Sequence, residues 1–222
     1  MPPSPQSPIH DLVSARRPQW GEVGGTPIAL NFGSADAEAR AVGHLALCDV
    51  SAMPKLNVKG PAAEAWLASQ GVDVPEAIYE TRALADGGVV ARQGSDEFFF
   101  LSGSSPQVVP ALSVAVRTVG LGVYSVDRQD ATFLLSGRSC LGVLSQTCGI
   151  DFTEAAPRCV VMTRVAGVSC AVLPEPEASL ARFRLWLDPS YAHYLWEQLA
   201  RIVHDLDGSI VGAACFYPDL VP

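Results

Sequence analysis

The sequence reads Met53-Pro-Lys-Leu-Asn-Val-Lys-Gly-Pro-Ala-Ala-Glu-Ala-Trp-Leu-Ala-Ser-Gln-Gly-Val-Asp73 at the point where it indicates its fold most clearly. Leu56 and Val58 alternate with polar residues, which is typical of a half-buried strand. Gly60-Pro61 then predicts a turn into a helix, because proline is favoured at the first helical position, where its missing N–H is not needed. We expect the helix over residues 62–70, ended by the glycine that follows.

A second copy of this pattern lies further along the chain. Residues 132–151 again run through strand, glycine, short helix, glycine, apolar residue and aspartate, with Gly137 in place of Gly60. Two apolar strand segments and another helix follow each copy. The pattern predicts an α+β fold of two pseudo-repeated β-α-β-β-α halves. The alternative is chance similarity of two short strand–helix units, since Gly-Pro after a strand is common.

The expected domain boundaries follow from this repeat. Residues 1–33 are predicted as a Pro-rich N-terminal arm that either lies on a partner or packs loosely on its own domain. Residues 34–216 are predicted as a single domain, with halves at about 34–119 and 120–216. Residues 217–222 are predicted as a short tail.

Capping and turn residues predict further elements. Ser34 and Asp36 are predicted to cap a short helix, and Asp188-Pro189 is predicted to start the last long helix. Apolar residues of that last helix form one stripe that we expect to face the core: Tyr191, Leu195, Leu199, Ile202 and Val203. The other expectations are a hairpin about Ala166-Gly167, an exposed loop over 174–179 and a final strand over 209–216.

Composition places the chain among globular proteins. It has 222 residues, of which 49% are hydrophobic and 17% charged, so it can bury a substantial core. The formal net charge is −8, which disfavours nucleic acid and anionic membranes as partners. No apolar run approaches the roughly 18 residues of a membrane helix.

We expect the chain to be cytoplasmic. Its first residues, Met1-Pro-Pro-Ser-Pro-Gln-Ser-Pro8, lack the basic and apolar regions of a signal peptide. Its six cysteines contain no C-x-x-C pair, which argues against a zinc knuckle or a dithiol redox motif. Thiols buried as small apolar residues are the favoured interpretation.

Motifs of known chemistry are absent from the sequence. It contains no G-x-G-x-x-G, Walker loop, G-x-S-x-G or H-E-x-x-H. The candidate groups are better explained as structural: the turn residues Asp127, Asp130 and Asp151, the surface residue His44, the helical pair His193 and Glu197, and His204-Asp205 at a helix end. We therefore predict no catalytic residues and no metal ligands in this chain.

Four motifs in a fixed order resemble a known family. They are Met53–Gly60, Leu134–Arg138 leading to Cys148–Asp151, Met162–Val165, and Phe183–Leu187 followed by Asp188–Leu195. Together with Asp49-Val-Ser51, they resemble the folate-binding superfamily of the glycine cleavage T-protein, which has Asp-x-Ser before a strand, a glycine and a helix. Within that superfamily the chain is most similar to the gamma subunits of heterotetrameric sarcosine oxidases, over residues 35–207.

The resemblance implies a subunit of an enzyme that oxidises sarcosine or a related N-methyl amine and passes the one-carbon unit to tetrahydrofolate. In that family FAD, FMN, NAD and tetrahydrofolate are assigned to the partner subunits, so no cofactor is expected on this chain and its cofactor-binding residues are unknown. The expected partners are larger alpha and beta subunits and a small delta subunit. The chain itself would be a non-catalytic assembly component.

The sequence departs from the catalytic T-proteins in two places. Gly87-Gly-Val-Val-Ala-Arg92 stands where they carry acidic residues, and Ser102-Gly-Ser-Ser105 stands where they have an Asn-rich turn. Without a carboxylate there, a carbanion or amine step lacks its acid–base group. Two alternatives stay open: an independent folate-binding protein, whose relatives carry a Lys-Gly-Cys-Tyr type signature where this chain has only Lys59-Gly60-Pro61, and a folate-dependent aminomethyltransferase or demethylase that acts alone.

Overall fold

A computed structural model describes residues 5–177 and 180–221, which form a mixed α/β structure with three sheets and six α-helices. The strands are β1 (Gln19–Val23), β2 (Thr26–Asn31), β3 (Ala46–Asp49), β4 (Lys55–Lys59), β5 (Thr81–Ala83), β6 (Val89–Gly94), β7 (Glu97–Leu101), β8 (Tyr124–Val126), β9 (Ala131–Ser136), β10 (Val161–Val165), β11 (Val168–Glu177), β12 (Leu180–Leu187) and β13 (Ser209–Ile210). The helices are α1 (His10–Ser14), α2 (Ala35–His44), α3 (Ala63–Ser69), α4 (Val108–Ala115), α5 (Cys140–Thr147) and α6 (Ala192–Asp205).

The described chain divides into two compact units. Unit 1 contains the chain as far as Ala52, Asp130–Pro157 and everything from Val161 onward, and unit 2 contains Met53–Gln129 and Arg158–Val160. The predicted halves stay a prediction. Their boundary at residue 120 is not the boundary between the units, because β3 pairs with β9 and so belongs to unit 1.

Unit 1 is built on a six-stranded sheet in the order β10-β11-β12-β9-β3-β13, in which only β3 and β13 run parallel. Alternate side chains of its strands point to one face. On that face Phe133 and Leu135 of β9 join one buried core with Ile9, which directly precedes α1, Leu144 of α5 and Leu199 of α6. A separate two-stranded sheet pairs β1 with β2.

Unit 2 is built on an antiparallel five-stranded sheet in the order β5-β6-β7-β4-β8. Its core lies on one face, where Val58 of β4 and Phe98 and Phe100 of β7 are fully buried. Leu67 of α3 and Leu112 of α4 cover these side chains. The alternation seen in the sequence of β4 therefore marks its core-facing side.

A glycine joins strand to helix at both predicted places. Gly60 follows β4 with a φ of 123°, and Gly137 follows β9 with a φ of 115°. A Cβ would lie 2.3 Å from the Gly122 carbonyl oxygen at the first site and 2.4 Å from the His44 carbonyl oxygen at the second. Both sites thus require glycine for backbone conformation and for space.

The predicted caps and the hairpin are confirmed. Ser34 Oγ accepts from the Ala37 N–H at 3.3 Å, and Asp188 Oδ1 accepts from the Ser190 N–H at 2.9 Å. The β10–β11 hairpin turns through Ala166-Gly167, both at positive φ. These features depend only on neighbouring residues, which is why the local sequence predicts them.

Three sequence predictions are wrong. The final strand stops at Ile210, because the Gly212 N–H donates to the buried Glu38 carboxylate at 2.7 Å and the chain then turns. Residues 174–177 are not a loop, since they extend β11 by pairing with β12, while residues 178–179 lie outside the described residues. Tyr191 is 56% exposed, because a 3-10 turn precedes α6 and gives the core positions to Ala192 and Trp196.

The described parts of the predicted arm and tail belong to unit 1 itself. Ile9 and Val13 are buried in its core, and β1 and β2 lie within the predicted arm. At the other end Tyr217 is only 5% exposed. The described part of the arm therefore packs on its own unit, and a contact between the arm and a partner stays a prediction.

Candidate functional site

A buried ion pair lies on the sheet of unit 1, on the face opposite its apolar core. Arg184 of β12 donates from Nε to Glu175 Oε1 at 2.5 Å, and the two side chains are 7% and 18% exposed. Burial by itself would lower the pKa of Arg184, but Glu175 and Tyr217 outweigh this effect and hold the pKa above its usual value. For Tyr217, burial raises the pKa, and the neighbouring Arg184 cation partly opposes this effect. The Arg184 guanidinium therefore stays protonated and serves as a structural cation.

A second buried carboxylate joins distant parts of unit 1. Glu38 of α2 accepts from the Phe32 N–H at 2.6 Å through Oε1 and from the Gly212 N–H at 2.7 Å through Oε2. The Cys215 thiol also lies 3.8 Å from Oε2. Each carboxylate oxygen therefore accepts from a backbone amide, so the residue acts as an internal cap.

The Asp-x-Ser motif has a structural role as well. Asp49 Oδ1 accepts from the Ser51 N–H at 3.0 Å, and Asp49 Oδ2 accepts from Ser7 Oγ at 2.5 Å. The Ser51 hydroxyl accepts from the Thr132 N–H at 2.9 Å. The motif thus ties the end of β3 to β9 and to the N-terminal segment.

Arg92 lies in unit 2, in the segment where the resemblance to the T-proteins led us to expect acidic residues. Its Nε donates to the Pro75 carbonyl at 2.8 Å, its Nη1 donates to the Ser95 carbonyl at 3.0 Å, and its Nη2 pairs with Glu64. The guanidinium carbon also lies 4.9 Å from the centre of the Phe98 ring. All three nitrogens are thereby bound within the unit, and the segment presents a cation in place of a carboxylate.

The aspartates singled out in the sequence differ in their surroundings. Asp151 accepts from Thr153 Oγ1 at 2.7 Å and from its N–H at 2.9 Å, which lowers the pKa of this carboxyl and confirms it as a turn residue. Asp127 is exposed, and Asp130 is buried just before β9.

Each of the three histidines that the sequence singled out has a polar neighbour in the structure. His44 Nδ1 is 3.4 Å from Ser139 Oγ, and His193 Nε2 contacts Asp11 Oδ1 at 2.9 Å rather than Glu197. His204 and Asp205 are exposed, with 3.9 Å between Nδ1 and Oδ1. Over residues 5–177 and 180–221, no three His, Cys, Asp or Glu side chains are grouped to hold a metal ion.

The six cysteines are unpaired thiols, and Cys48, Cys140 and Cys170 are buried. Burial raises the pKa of Cys140 to about 11 and of Cys170 to about 12, and it raises the pKa of Cys48 well above its usual value. Burial, with help from Glu38, raises the pKa of Cys215 to about 11. The nucleophilic form of cysteine is the thiolate, so these four thiols are inert near neutral pH.

Two open grooves lie beside helices. One of about 500 Å3 follows α5 and the loop after it, lined by Leu141, Gly142, Leu144, Ser145, Cys148, Gly149, Ile150, Asp151, Phe152 and Thr153. The other, of about 300 Å3, lies between the end of α3 and α4, lined by Gln70, Val72, Gln107, Val108, Ala111 and Leu112. Asp151 is the single charged residue in these linings, so neither groove offers a cation to an anionic ligand.

Two solved structures share this architecture. Glycine cleavage system aminomethyltransferase T from Bartonella henselae matches with a TM-score of 0.74 and 17% identity, over 96% of this chain and 61% of that one. A chain of the heterotetrameric sarcosine oxidase from Corynebacterium sp. U-96 matches with a TM-score of 0.64 and 19% identity, over 91% of this chain and 96% of that one. The chain has the fold that these two proteins share.

The similarity is one of fold. No family model matches the chain, and no curated protein sequence matches it. Of the expected α+β fold with two pseudo-repeated halves, the structure and these similarities show a mixed α/β fold similar to that of the T-protein, and the pseudo-repeat stays a prediction. The chain spans 61% of the aminomethyltransferase. Among the described helices, none is long and apolar enough to cross a bilayer.

Sequence reasoning missed the centres at Arg184 and Glu38, and it did not find the partners of Arg92. A signal existed for Arg184, which stands in the otherwise apolar strand segment 183–187, where a charge requires a buried partner. Glu38 gave no local signal, because it bonds to a residue 174 positions away. The arginine at 92 was noticed as a departure from the T-proteins, but its partners could not be read from the sequence.

Proposed function

We propose that this chain is a small non-catalytic assembly subunit of a heterotetrameric sarcosine oxidase-type complex. Such a complex would oxidatively demethylate sarcosine or a related N-methyl amine and pass the one-carbon unit to tetrahydrofolate. The observation that carries the proposal is coverage: the sarcosine oxidase chain is matched over 96% of its length, whereas the aminomethyltransferase is matched over 61%. The motif order of the sequence points the same way, to the gamma subunit.

The chemistry of the buried groups supports a non-catalytic role. Acid–base catalysis needs a group with a pKa near the working pH within reach of substrate. Arg92 is bound by Glu64 and two carbonyls where the T-proteins carry acidic residues, and Arg184 and Glu175 bind each other. These side chains are held by contacts inside their own units, which supports a structural role for them.

The cofactors FAD, FMN, NAD and tetrahydrofolate would be held by the partner subunits. Neither described groove suits tetrahydrofolate, because its glutamate is anionic and the single charged lining residue is Asp151. The partners would be larger alpha and beta subunits and a small delta subunit. We place the complex in the cytoplasm, without nucleic acid or membrane.

A pull-down through an affinity tag on this chain, from its own host, tests the proposal. We expect larger chains in the eluate, a native mass above that of the 23.4 kDa chain, and flavin absorption. A colourless eluate containing this chain alone would contradict the proposal. An unrelated tagged protein of similar size serves as the control for capture by the resin.

The higher TM-score of the aminomethyltransferase, 0.74 against 0.64, favours a second candidate function. In that case the chain would be an independent folate-binding protein or a folate-dependent aminomethyltransferase or demethylase. Titration of the purified chain with tetrahydrofolate in a calorimeter, and turnover of methyl donors by the chain alone, distinguish the two. Binding of tetrahydrofolate together with turnover would replace the subunit proposal. If the titration gives no heat of binding and the chain shows no turnover, this second candidate is excluded.

A further inference from the structure

Helix α4 of unit 2 is apolar on its solvent side as well as on its core side. On the core side, Val109 is buried beneath the helix. On the other side, Val114 is 67% exposed, and Pro110 and Ala111 are exposed as well. The helix contains no charged residue, and its one polar side chain, that of Ser113, donates to the Val109 carbonyl at 2.8 Å. The outer face of α4 therefore lacks the charged and polar groups that a solvated helix face normally carries.

The sequence around the two helices of unit 2 is equally poor in charge. Residues 60–72, which contain α3, and residues 105–123, which contain α4, hold two charged residues between them, Glu64 and Arg117, whereas 17% of the whole chain is charged. Glu64 is paired with Arg92 inside the unit. Depletion of charged residues distinguishes the centre of a protein interface from the rest of a protein surface. The helical layer of unit 2 thus has the composition of an interface.

The two helices and the groove between them form one surface. The groove of about 300 Å3 is lined by residues from the end of α3 and from the start of α4, so these two ends are neighbours. The start of α3 lies beside the turn that follows α4, because the Ala62 N–H donates to the Gly122 carbonyl at 3.0 Å. Ala111 is exposed on α4 and also lines the groove. The groove therefore continues directly onto the outer face of α4.

The groove suits an uncharged apolar side chain. Val72 and Val108 contribute apolar surface, Gln70 and Gln107 contribute uncharged amides, and none of the six lining residues is charged. Asp86 is already used as the cap of α4, since its carboxylate accepts from the Gln107 and Val108 amides at 3.0 Å. A charged side chain placed in this groove would lose hydration without gaining an opposite charge.

Leu121 adds a further apolar side chain to this surface. It is 98% exposed and stands between Gly120 and Gly122 in the turn after α4. The hydrogen bond from Ala62 to Gly122 fixes this turn against the start of α3. Exposed apolar groups that lie together on one surface mark sites of protein interaction.

We propose that the outer face of α4, together with the groove and Leu121, is the docking surface for the uncharged, apolar face of a helix from a larger partner subunit. This inference rests on the proposed function. Helices that bind in this mode place apolar side chains in a hydrophobic groove, and burial of Val114 and Leu121 would supply the driving force. A second copy of the chain would instead bring together two molecules that each carry a net charge of −8.

Hydroxyl-radical footprinting with mass spectrometry, on the free chain and on the purified complex, tests the surface without any substitution. We expect labelling of Val114 and Leu121 to fall about fivefold or more on assembly, because the centre of an interface excludes water. Met162 of unit 1, which is 56% exposed, serves as the reference side chain. A complex in which Val114 and Leu121 are labelled as in the free chain would overturn this inference and leave the proposed function standing.

A pair of variants at one position tests whether the surface excludes charge. Val114→Glu and Val114→Gln remove the same apolar side chain, and both new residues favour a helix, so circular dichroism of the isolated variants should stay unchanged. We expect Val114→Glu to weaken co-purification of the larger chains about tenfold more than Val114→Gln, because only glutamate buries an unpaired charge. Met162→Glu, an equal change at an exposed apolar residue of unit 1, should leave co-purification unchanged.

The other outcomes of this comparison count against the inference. Equal recovery with Val114→Glu and Met162→Glu would overturn the docking surface, and equal losses with Val114→Glu and Val114→Gln would overturn the uncharged partner helix. An isolated chain that forms dimers, which Val114→Glu converts to monomers, would assign the surface to a second copy and overturn the proposal. An eluate without larger chains would overturn both the proposed function and this inference.

Discussion

Single buried carboxylates hold distant parts of this chain together. Glu38 satisfies the amides of Phe32 and Gly212, and Glu175 neutralises Arg184 inside unit 1. Each of these charges is hydrogen-bonded, which is the condition under which a charge can be buried. Removal of one partner leaves the other without compensation, so single substitutions at these residues should have large effects.

The first prediction concerns Glu38→Gln. A glutamine keeps one acceptor oxygen but turns an amide donor toward one of the two backbone N–H groups, so we expect a loss of about 2 kcal/mol in the free energy of unfolding. Urea denaturation followed by circular dichroism measures it. The control is Glu197→Gln on the exposed side of α6, which should change stability by less than about 0.5 kcal/mol. Equal midpoints for both variants would contradict the internal cap.

The second prediction concerns the pH dependence of Asp188 at the start of α6. Ser190 donates to this carboxylate from its hydroxyl and its N–H, which lowers the pKa of Asp188 below its usual value of 3.8. Because the folded pKa lies below the unfolded one, the cap stabilises the protein above that pH, and the stabilisation is lost as the pH falls through the folded pKa. Ser190→Ala should move the pKa of Asp188 upward in a carboxyl NMR titration. The carboxyl of Asp205 serves as a reference in the same spectra, and an unchanged Asp188 titration would refute the assigned cause.

At the scale of elements, the strand–glycine–helix unit recurs in both units of the molecule. Each copy turns at a glycine with positive φ, after β4 and after β9. The turn brings its backbone against another carbonyl, that of Gly122 in one case and that of His44 in the other. The same local geometry thus starts a helix over the core of each unit.

We therefore expect Gly60→Ala and Gly137→Ala each to destabilise the protein by more than about 2 kcal/mol, from backbone strain and overlap with a carbonyl. The matched control is Gly43→Ala within α2, where a Cβ meets no atom within 4 Å and φ is not positive. Alanine there should stabilise the helix by roughly 0.5–1 kcal/mol. Thermal unfolding measures the change in stability of the three variants. We expect alanine to stabilise the protein at Gly43 and to destabilise it at Gly137.

Helix α1 provides a further prediction at this scale. Ile9 is fully buried in the core of unit 1 although it lies in a segment rich in proline. Ile9→Ala should cost about 2–5 kcal/mol of stability, as for other large-to-small changes in a core. Leu121→Ala, at a side chain that is 98% exposed, should be nearly neutral. A neutral Ile9→Ala would mean that the N-terminal segment is a detachable arm after all.

For the whole molecule, the balance of charge limits the classes of partner. The chain has 15 basic and 23 acidic residues, so its field repels polyanions. We expect no binding to a fluorescent DNA duplex at 150 mM salt, measured by anisotropy up to about 10 µM protein, because non-specific contacts need clustered cations. Saturable binding in that range would contradict this exclusion.

Sequence reasoning succeeded wherever the cause of a structure lies within a few residues. The Ser34 and Asp188 caps, the hairpin turn at residues 166–167 and the two glycine turns were all predicted, because each depends on the conformational preference of its own residues. The candidate site was predicted less well. The sequence indicated that Arg92 departs from the T-protein pattern, but not that its guanidinium is bound by Glu64 and two carbonyls.

The sequence by itself determined the local units of this protein and its resemblance to the T-protein fold. The tertiary structure alone decided that β13 stops at Ile210, that β11 extends through residues 174–177, and that Glu38 caps Gly212. The physical reason is the separation along the chain over which each kind of interaction acts. Periodicity and capping act between near neighbours, whereas a buried carboxylate takes whichever donors the fold brings to it, and those donors lie far away along the chain.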